Sequence, residues 1–93
     1  MIYVVGMSGN PPPSVGLSLK KEQADLAKAE QDIVEGERRV AEQELLIAQL
    51  RSEGHDTALA EQLLATLKAT LAEWYAHRET ILCTIHRLQA REP

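Results

Sequence analysis

The fold of this chain is decided by residues 46–64, which read LIAQLRSEGHDTALAEQLL. Gly54 interrupts a run of helix-forming residues, and glycine readily takes the left-handed backbone conformation at which helices end. Asp56 follows two residues later and is a favourable N-cap for a new helix. The predicted connection, about residues 54–56, is so short that the helices on either side of it must lie antiparallel.

The sequence before this turn predicts one long helix over about residues 19–53, with Ser18 as its N-cap. Apolar side chains recur there every seven residues, which is the spacing of a coiled-coil seam. A second row of the same seam is smaller and more polar. The apolar row is Leu19, Leu26, Ile33, Val40 and Ile47, and the second row is Glu22, Ala29, Gly36, Gln43 and Leu50.

The sequence after the turn predicts a second helix over about residues 57–90. Its seam positions alternate spacings of three and four residues, which is again a heptad pattern. Arg78 is the one charged member of this seam. The full seam is Ala60, Leu64, Leu67, Leu71, Trp74, Arg78, Ile81, Ile85 and Leu88.

In a hairpin centred on this turn, facing residues have numbers that sum to roughly 110. Glycine inside a helix costs about 1 kcal/mol relative to alanine, so we expect Gly36 to make room for the large side chain of Trp74. Arg78 falls near Ile33 and is expected to reach an acidic side chain while its stem packs on the seam. The other predicted pairs are Leu26 with Ile85, Ala29 with Ile81, Val40 with Leu71 and Ile47 with Leu63 or Leu64, and the acids within reach of Arg78 are Asp32, Glu35 and Glu37.

Further apolar residues lie off the main seam of both helices, which suggests that a single hairpin leaves apolar surface uncovered. We therefore expect a coiled-coil-like hairpin that dimerises into a four-helix bundle, with a larger oligomer or another helical protein as the competing partner. These residues are Ala27, Val34, Ala41, Leu45 and Ala48 before the turn, and Leu59, Leu63, Tyr75 and Leu82 after it.

Residues 1–18 differ from the rest and predict a Pro-rich extended or flexible arm, since Pro11–Pro13 favours an extended backbone. This arm could serve as a docking tail for a partner. The remaining residues, 19–93, form the hairpin domain. The chain carries a net charge of −4 and one cysteine, Cys83. The absence of a basic stripe disfavours nucleic-acid binding, the short apolar start is too brief for a membrane span, and the single cysteine fits a cytoplasmic protein.

The stretch from Glu35 to Leu82 has a pattern that is also found in a known group of proteins. Its most specific part is the turn Gly54-His55-Asp56-Thr57 between two long helices. This stretch resembles a group of small, uncharacterised helical proteins common in soil alphaproteobacteria. The resemblance covers about half the chain and implies a two-helix hairpin with no established activity. It is also carried by Glu35-Gly36-Glu37-Arg38-Arg39, Gln43, Leu46-Ile47, Leu50, Ala60, Leu63-Leu64, Leu71 and Arg78.

Three sets of residues have chemical as well as structural interpretations. His55 and Asp56 could form a proton-transfer pair or half a metal site, or could simply terminate the two helices. Cys83 and His86 share one helical face, and His77 invites comparison with phosphotransfer histidines, but one chain cannot complete a zinc site from them. The acidic and basic side chains around Glu35 and Arg39 are those of a solvated helix with ion pairs four residues apart.

We predict no catalytic, cofactor-binding or metal-binding residue, no cofactor and no small-molecule substrate. The leading hypothesis is a non-enzymatic, self-associating hairpin that acts as a protein-protein interaction or structural module. The alternative is a small regulatory or signalling module, for phosphotransfer or metal sensing, that uses His77, Cys83 or His86. An enzyme is disfavoured, because two helices enclose no pocket.

Overall fold

Two long antiparallel helices make up the part of the chain that the structure describes. In this computed structural model, which describes residues 15–91, α1 spans Val15–Ser52 and α2 spans Ala58–Ala90. The 38 residues of α1 correspond to about 57 Å of helix. The helices pack against each other, so the all-α hairpin predicted from the sequence is confirmed. Neither helix contains a segment of the length and apolarity needed to cross a membrane.

The start of α1 differs from the prediction. The helix begins at Val15, so the expected N-cap Ser18 lies inside it and residues 15–18 of the predicted arm are helical. The physical reason is that the last proline before the helix is Pro13, and no further proline stands between it and Ser18 to stop the helix from starting earlier. The rest of the predicted arm, residues 1–14, lies outside the described residues.

The turn confirms the role of Gly54, which has a φ of +80°. The amide of Gly54 donates to the carbonyl of Arg51 at 3.1 Å, and the amide of His55 donates to the carbonyl of Leu50 at 2.9 Å. These two bonds form a Schellman motif, which satisfies the last carbonyls of α1. The amide of Ala58 donates to the Asp56 carboxylate at 2.9 Å, so Asp56 caps the first turn of α2, although the residue bordering that helix is Thr57.

The buried core is concentrated away from the turn. Ala29, Ile81 and Ile85 form a cluster, so the predicted neighbours Ala29 and Ile81 do pack together. Burial of such side chains stabilises a fold by about 1.5–3 kcal/mol each. The remaining buried residues are Ile33, Gln43, Ile47 and Leu71, and the partly buried side chains packed on the cluster are Leu19, Leu26 and Trp74.

The prediction that Gly36 makes room for Trp74 is wrong, because the side chain next to it is that of Leu71. A Cβ atom at Gly36 would lie 3.1 Å from Cδ1 of Leu71, which is the nearest side chain. Leu71 precedes Trp74 by one helical turn on the same seam, and pairing by an approximate sum of 110 does not distinguish two seam residues one turn apart. Trp74 lines the groove beside Gly36 but does not fill the space that the glycine leaves.

Candidate interaction surface

One long side of the hairpin, here called the charged flank, is closed by polar contacts between the two helices. The Tyr75 hydroxyl donates to Glu37 at 2.5 Å, while Lys68 lies 3.6 Å from Glu44 and Arg51 lies 3.2 Å from Glu61. The residues from each helix recur every seven positions, so the contacts lie in one row. This row connects the two helices along the charged flank, from the turn to about the middle of the hairpin.

The other long side, here called the groove flank, carries an open groove between the helices. Two adjoining depressions of about 430 and 200 Å³ share Arg39 and Leu67 as lining residues. The larger one is bordered by Leu46 and Leu63 near the turn, and the smaller one by Trp74 farther away. The groove therefore follows the helices from the region of the turn towards the open end of the hairpin.

Two leucines of α2 near the turn are exposed, Leu63 in the lining of the groove and Leu59 one helical turn before it. Leu59 is 80% exposed and Leu63 is 49% exposed, and residues four apart lie next to each other on a helix surface. Leu46 of α1 borders the same depression as Leu63 and is also exposed. Exposed apolar side chains that lie together are a mark of interaction surfaces.

This part of α2 carries no free charge on the groove flank. Between Ala58 and Ala72 the only charged residues are Glu61 and Lys68, and both pair with α1 on the charged flank. Solvated helices usually place charged side chains on their outer face. The uncharged surface from Leu59 to Thr70 is therefore better suited to contact with protein than to contact with water.

The predicted off-seam apolar residues do not form one face. Leu63 lies on the groove flank, whereas Tyr75 lies on the charged flank together with Leu82, one heptad later. Val34 and Leu45 are both exposed on α1, but their positions on the helix turn them away from the groove. Their exposure agrees with the prediction, while a single continuous interface that contains all of them is excluded.

The turn residues His55 and Asp56 have structural contacts. Nε2 of His55 lies 3.5 Å from the Glu53 carboxylate, and Asp56 accepts the amide of Ala58. Both side chains are exposed. The helix-terminating interpretation of this pair accounts for the contacts seen.

The candidate chemical residues of α2 are spread along the helix. Cys83 is an exposed free cysteine and lies with His86 on a shallow part of the surface. The His77 ring packs edge-on against Trp74, with 5.6 Å between ring centroids. Within residues 15–91, no group of three or more side chains of metal-binding type comes together. No contact of these residues favours the phosphotransfer or metal-sensing alternative, which stays a prediction.

Arg78 does not form the predicted ion pair within residues 15–91. Its Nε atom is buried without a hydrogen-bond partner, and its guanidinium carbon lies 5.5 Å from the centre of the Tyr75 ring. The three acids expected to receive it are engaged elsewhere. Asp32 binds Lys28, Glu35 binds Arg38 and Arg39, and Glu37 accepts the Tyr75 hydroxyl.

The charged residues around Glu35 form the predicted pairs on one helix face. Arg38 donates to Glu35 and to Glu42, each at 2.5 Å, and Arg39 donates to Glu35 at 3.0 Å. These two guanidinium groups, with Arg38 contributing most, hold the pKa of the Glu35 carboxyl below its ordinary value. All of these side chains are at least partly solvated, and they form the polar wall of the groove.

Sequence reasoning missed the interaction of Gln43. Its side-chain amide is buried and donates to the backbone carbonyl of Ala60 at 2.9 Å. The signal was present in the second row of the α1 seam, where an uncharged polar residue replaces an apolar one. A buried amide needs a hydrogen-bond partner, and in an antiparallel hairpin that partner must come from the facing helix.

The comparisons with known proteins do not assign this hairpin to a family. No protein-family model, curated protein or solved structure matches the chain. The resemblance to helical proteins of soil alphaproteobacteria stays a prediction.

Proposed function

We propose that this protein is a non-enzymatic, self-associating helical hairpin that acts as a protein-protein interaction or structural module. The observation that carries the proposal is the exposure of large apolar side chains near the turn, above all Leu59 at 80% and Leu63 at 49%. Of the seven large apolar side chains that are exposed in the part of the chain that the structure describes, four lie in this region. They are Leu45, Leu46, Leu59 and Leu63.

The energetics of burial support association. Only six apolar residues are buried among those the structure describes, which is few for helices of this length. Complete burial of an exposed leucine contributes about 1.5–3 kcal/mol. A partner that covers the leucines near the turn therefore supplies stabilisation comparable to a substantial part of the hairpin's own core.

The proposal gives the protein a cytoplasmic location and a helical partner. A single, exposed cysteine suits a reducing compartment. The partner is a second copy of the chain or another helical protein, because a groove between two helices accepts the ridge of side chains of a third.

The test is the absolute mass of the purified full chain, measured by light scattering after size exclusion over a wide range of concentrations. We expect a mass that rises towards twice the 10.3 kDa of one chain as the concentration increases. A monomer at every concentration, combined with no protein retained in an untargeted pull-down, would contradict the proposal.

A further inference from the structure

We propose that a second copy of this chain docks antiparallel on the groove flank, so that Leu59 and Leu63 of each copy lie beside Thr70 and Trp74 of the other. This inference rests on the proposed self-association and adds the surface and the arrangement of the two copies. In this arrangement the second copy covers the groove flank only, and the charged flank stays exposed to solvent.

One face of α2 carries both the projecting side chains and the space to receive them. Leu59 and Leu63 project from the turn end, and the depression of about 200 Å³ lies farther along, with Thr70 and Trp74 in its lining. A two-fold interface requires a surface that is complementary to itself. Antiparallel packing meets this requirement, since it places the leucines of one copy over the depression of the other.

The glycine in the middle of α1 also fits this arrangement. Gly36 lines the same depression, and a Cβ atom there would lie only 3.1 Å from Leu71. Glycine inside a helix is unfavourable by about 1 kcal/mol relative to alanine. The absence of a side chain lets Leu71 approach α1 and keeps the depression open for an incoming leucine.

Charge does not oppose this arrangement. On α2 the surface from Leu59 to Thr70 carries no charge on this flank, and the acidic and basic side chains of the α1 wall pair with each other, so two copies meet there without net repulsion. If Leu63 of one copy faces Thr70 of the other, the two-fold axis passes near Thr66, and Glu73 then faces the first turn of the other copy's α2. Carboxylates are favourable at helix N-termini because of the helix dipole.

The surface that a second copy could cover on the groove flank is large enough for a weak, reversible dimer. The stretch from Leu59 to Trp74 is about 24 Å long, and two adjacent helices present a width of about 20 Å. The contact would cover on the order of 500 Å² of each copy, or about 1,000 Å² in total, which is close to the minimum for a specific interface. We therefore expect a dimer that dissociates on dilution.

The test uses the full chain with Cys83→Ser and one new cysteine, treated with a short bis-maleimide cross-linker. Thr66→Cys places the thiol next to the proposed two-fold axis. Thr80→Cys is the matched control, because both threonines are exposed, donate to the carbonyl four residues earlier at 3.2 Å, and lie two heptads apart on one face. In the antiparallel dimer the two copies of residue 80 are about 40 Å apart.

We expect Thr66→Cys to give a cross-linked dimer and Thr80→Cys to give none. Cross-linking of both variants would indicate parallel packing and overturn the arrangement. If light scattering shows a dimer but neither variant cross-links, the interface lies elsewhere, so this inference fails while the proposed function stands. A monomer at all concentrations removes both.

A second measurement compares charge insertions at two exposed leucines of the turn region. Leu59→Glu is expected to raise the dimer dissociation constant roughly tenfold or more, since it buries a charge in the contact. Leu45→Glu, at a similarly exposed position turned away from the groove, is expected to leave it unchanged. Circular dichroism verifies that both variants stay helical, and equal effects of the two substitutions would overturn the proposed surface.

Discussion

The turn half of the hairpin, residues 43–68, and the open half, residues 15–36 with 74–91, consist of the same two helices but are held together differently. The open half has its own apolar cluster. In the turn half the only buried side chains are Gln43 and Ile47. Hydrogen bonds therefore make up a larger share of the interactions that hold this half together. The Schellman turn, the Asp56 cap and the Gln43 bond to α2 all belong to this half.

The difference shows how a two-helix chain can combine a fixed shape with an uncovered apolar surface. Hydrogen bonds in the turn half contribute to the alignment of the helices without involving its exposed leucines, which are Leu45, Leu46, Leu59 and Leu63. Those leucines then remain available for contact with another chain. Each half can be tested separately, because its stabilising interactions belong to different residues.

The largest effect is expected for Ile81→Ala in the open half. Ile81 is 4% exposed and belongs to the main cluster, and truncation of such a residue to alanine costs about 2–5 kcal/mol. Thermal unfolding followed by circular dichroism should show a large fall in Tm. Leu82→Ala is the control, since Leu82 is 39% exposed, and a loss as large as that of Ile81→Ala would contradict the core described here.

The next effect is expected for Gly54→Ala in the turn half. A side chain at a φ of +80° is strained by about 1–2 kcal/mol, so the free energy of unfolding should fall by that amount in a denaturant titration. Gly54→Asn should lose clearly less, because asparagine tolerates the left-handed conformation better. Equal losses for alanine and asparagine would show that backbone conformation is not the cause.

A smaller effect is expected for Gln43→Ala, which removes the hydrogen bond to the Ala60 carbonyl. The net contribution of such a bond is about 0.5–1.5 kcal/mol, and a denaturant titration resolves a change of this size. Gln49→Ala is the control, since the exposed Gln49 side chain donates only to Glu53 on its own helix. A loss confined to Gln43 would confirm that polar ties between the helices stabilise the turn half.

The two halves also differ in how far the sequence predicts them. The heptad rows predict the open half, because burial of Ala29, Ile81 and Ile85 follows from periodicity alone. In the turn half, Gly54 and Asp56 were predicted from local backbone preferences. The Gln43 bond was not, since its acceptor lies on the other helix and is identified only when the register is known to one residue.

Predicting which residues line the groove also requires the register of the two helices to be known to one residue. The approximate pairing rule does not distinguish seam residues one helical turn apart, and it assigned Trp74 instead of Leu71 to the space beside Gly36. The sequence placed Leu59 and Leu63 off the seam, which their exposure confirms. Their separation from Tyr75 and Leu82 on opposite flanks depends on contacts between the helices, which sequence periodicity does not contain.

The smallest effect is expected for Tyr75→Phe, which removes the hydrogen bond between Tyr75, at the edge of the open half, and Glu37, which lies between the two halves. The hydrogen bond to Glu37, followed by desolvation, raises the pKa of the Tyr75 phenol above its ordinary value. A group with a raised pKa in the folded state contributes stability below its unfolded pKa, about 10, and loses that contribution as the pH rises through the folded value. The difference in Tm between the wild type and Tyr75→Phe should therefore be constant at neutral pH and shrink above about pH 10.

The titration of the phenol itself separates this bond from general effects of high pH. In a Tyr3→Phe background Tyr75 is the only tyrosine, so its ionisation can be followed by ultraviolet absorbance. We expect a midpoint above 10 in the folded protein and a return to about 10 in denaturant. A folded midpoint at or below 10 would mean that Glu37 does not accept the hydroxyl in solution, and the two halves would then be joined by apolar contacts alone at this point.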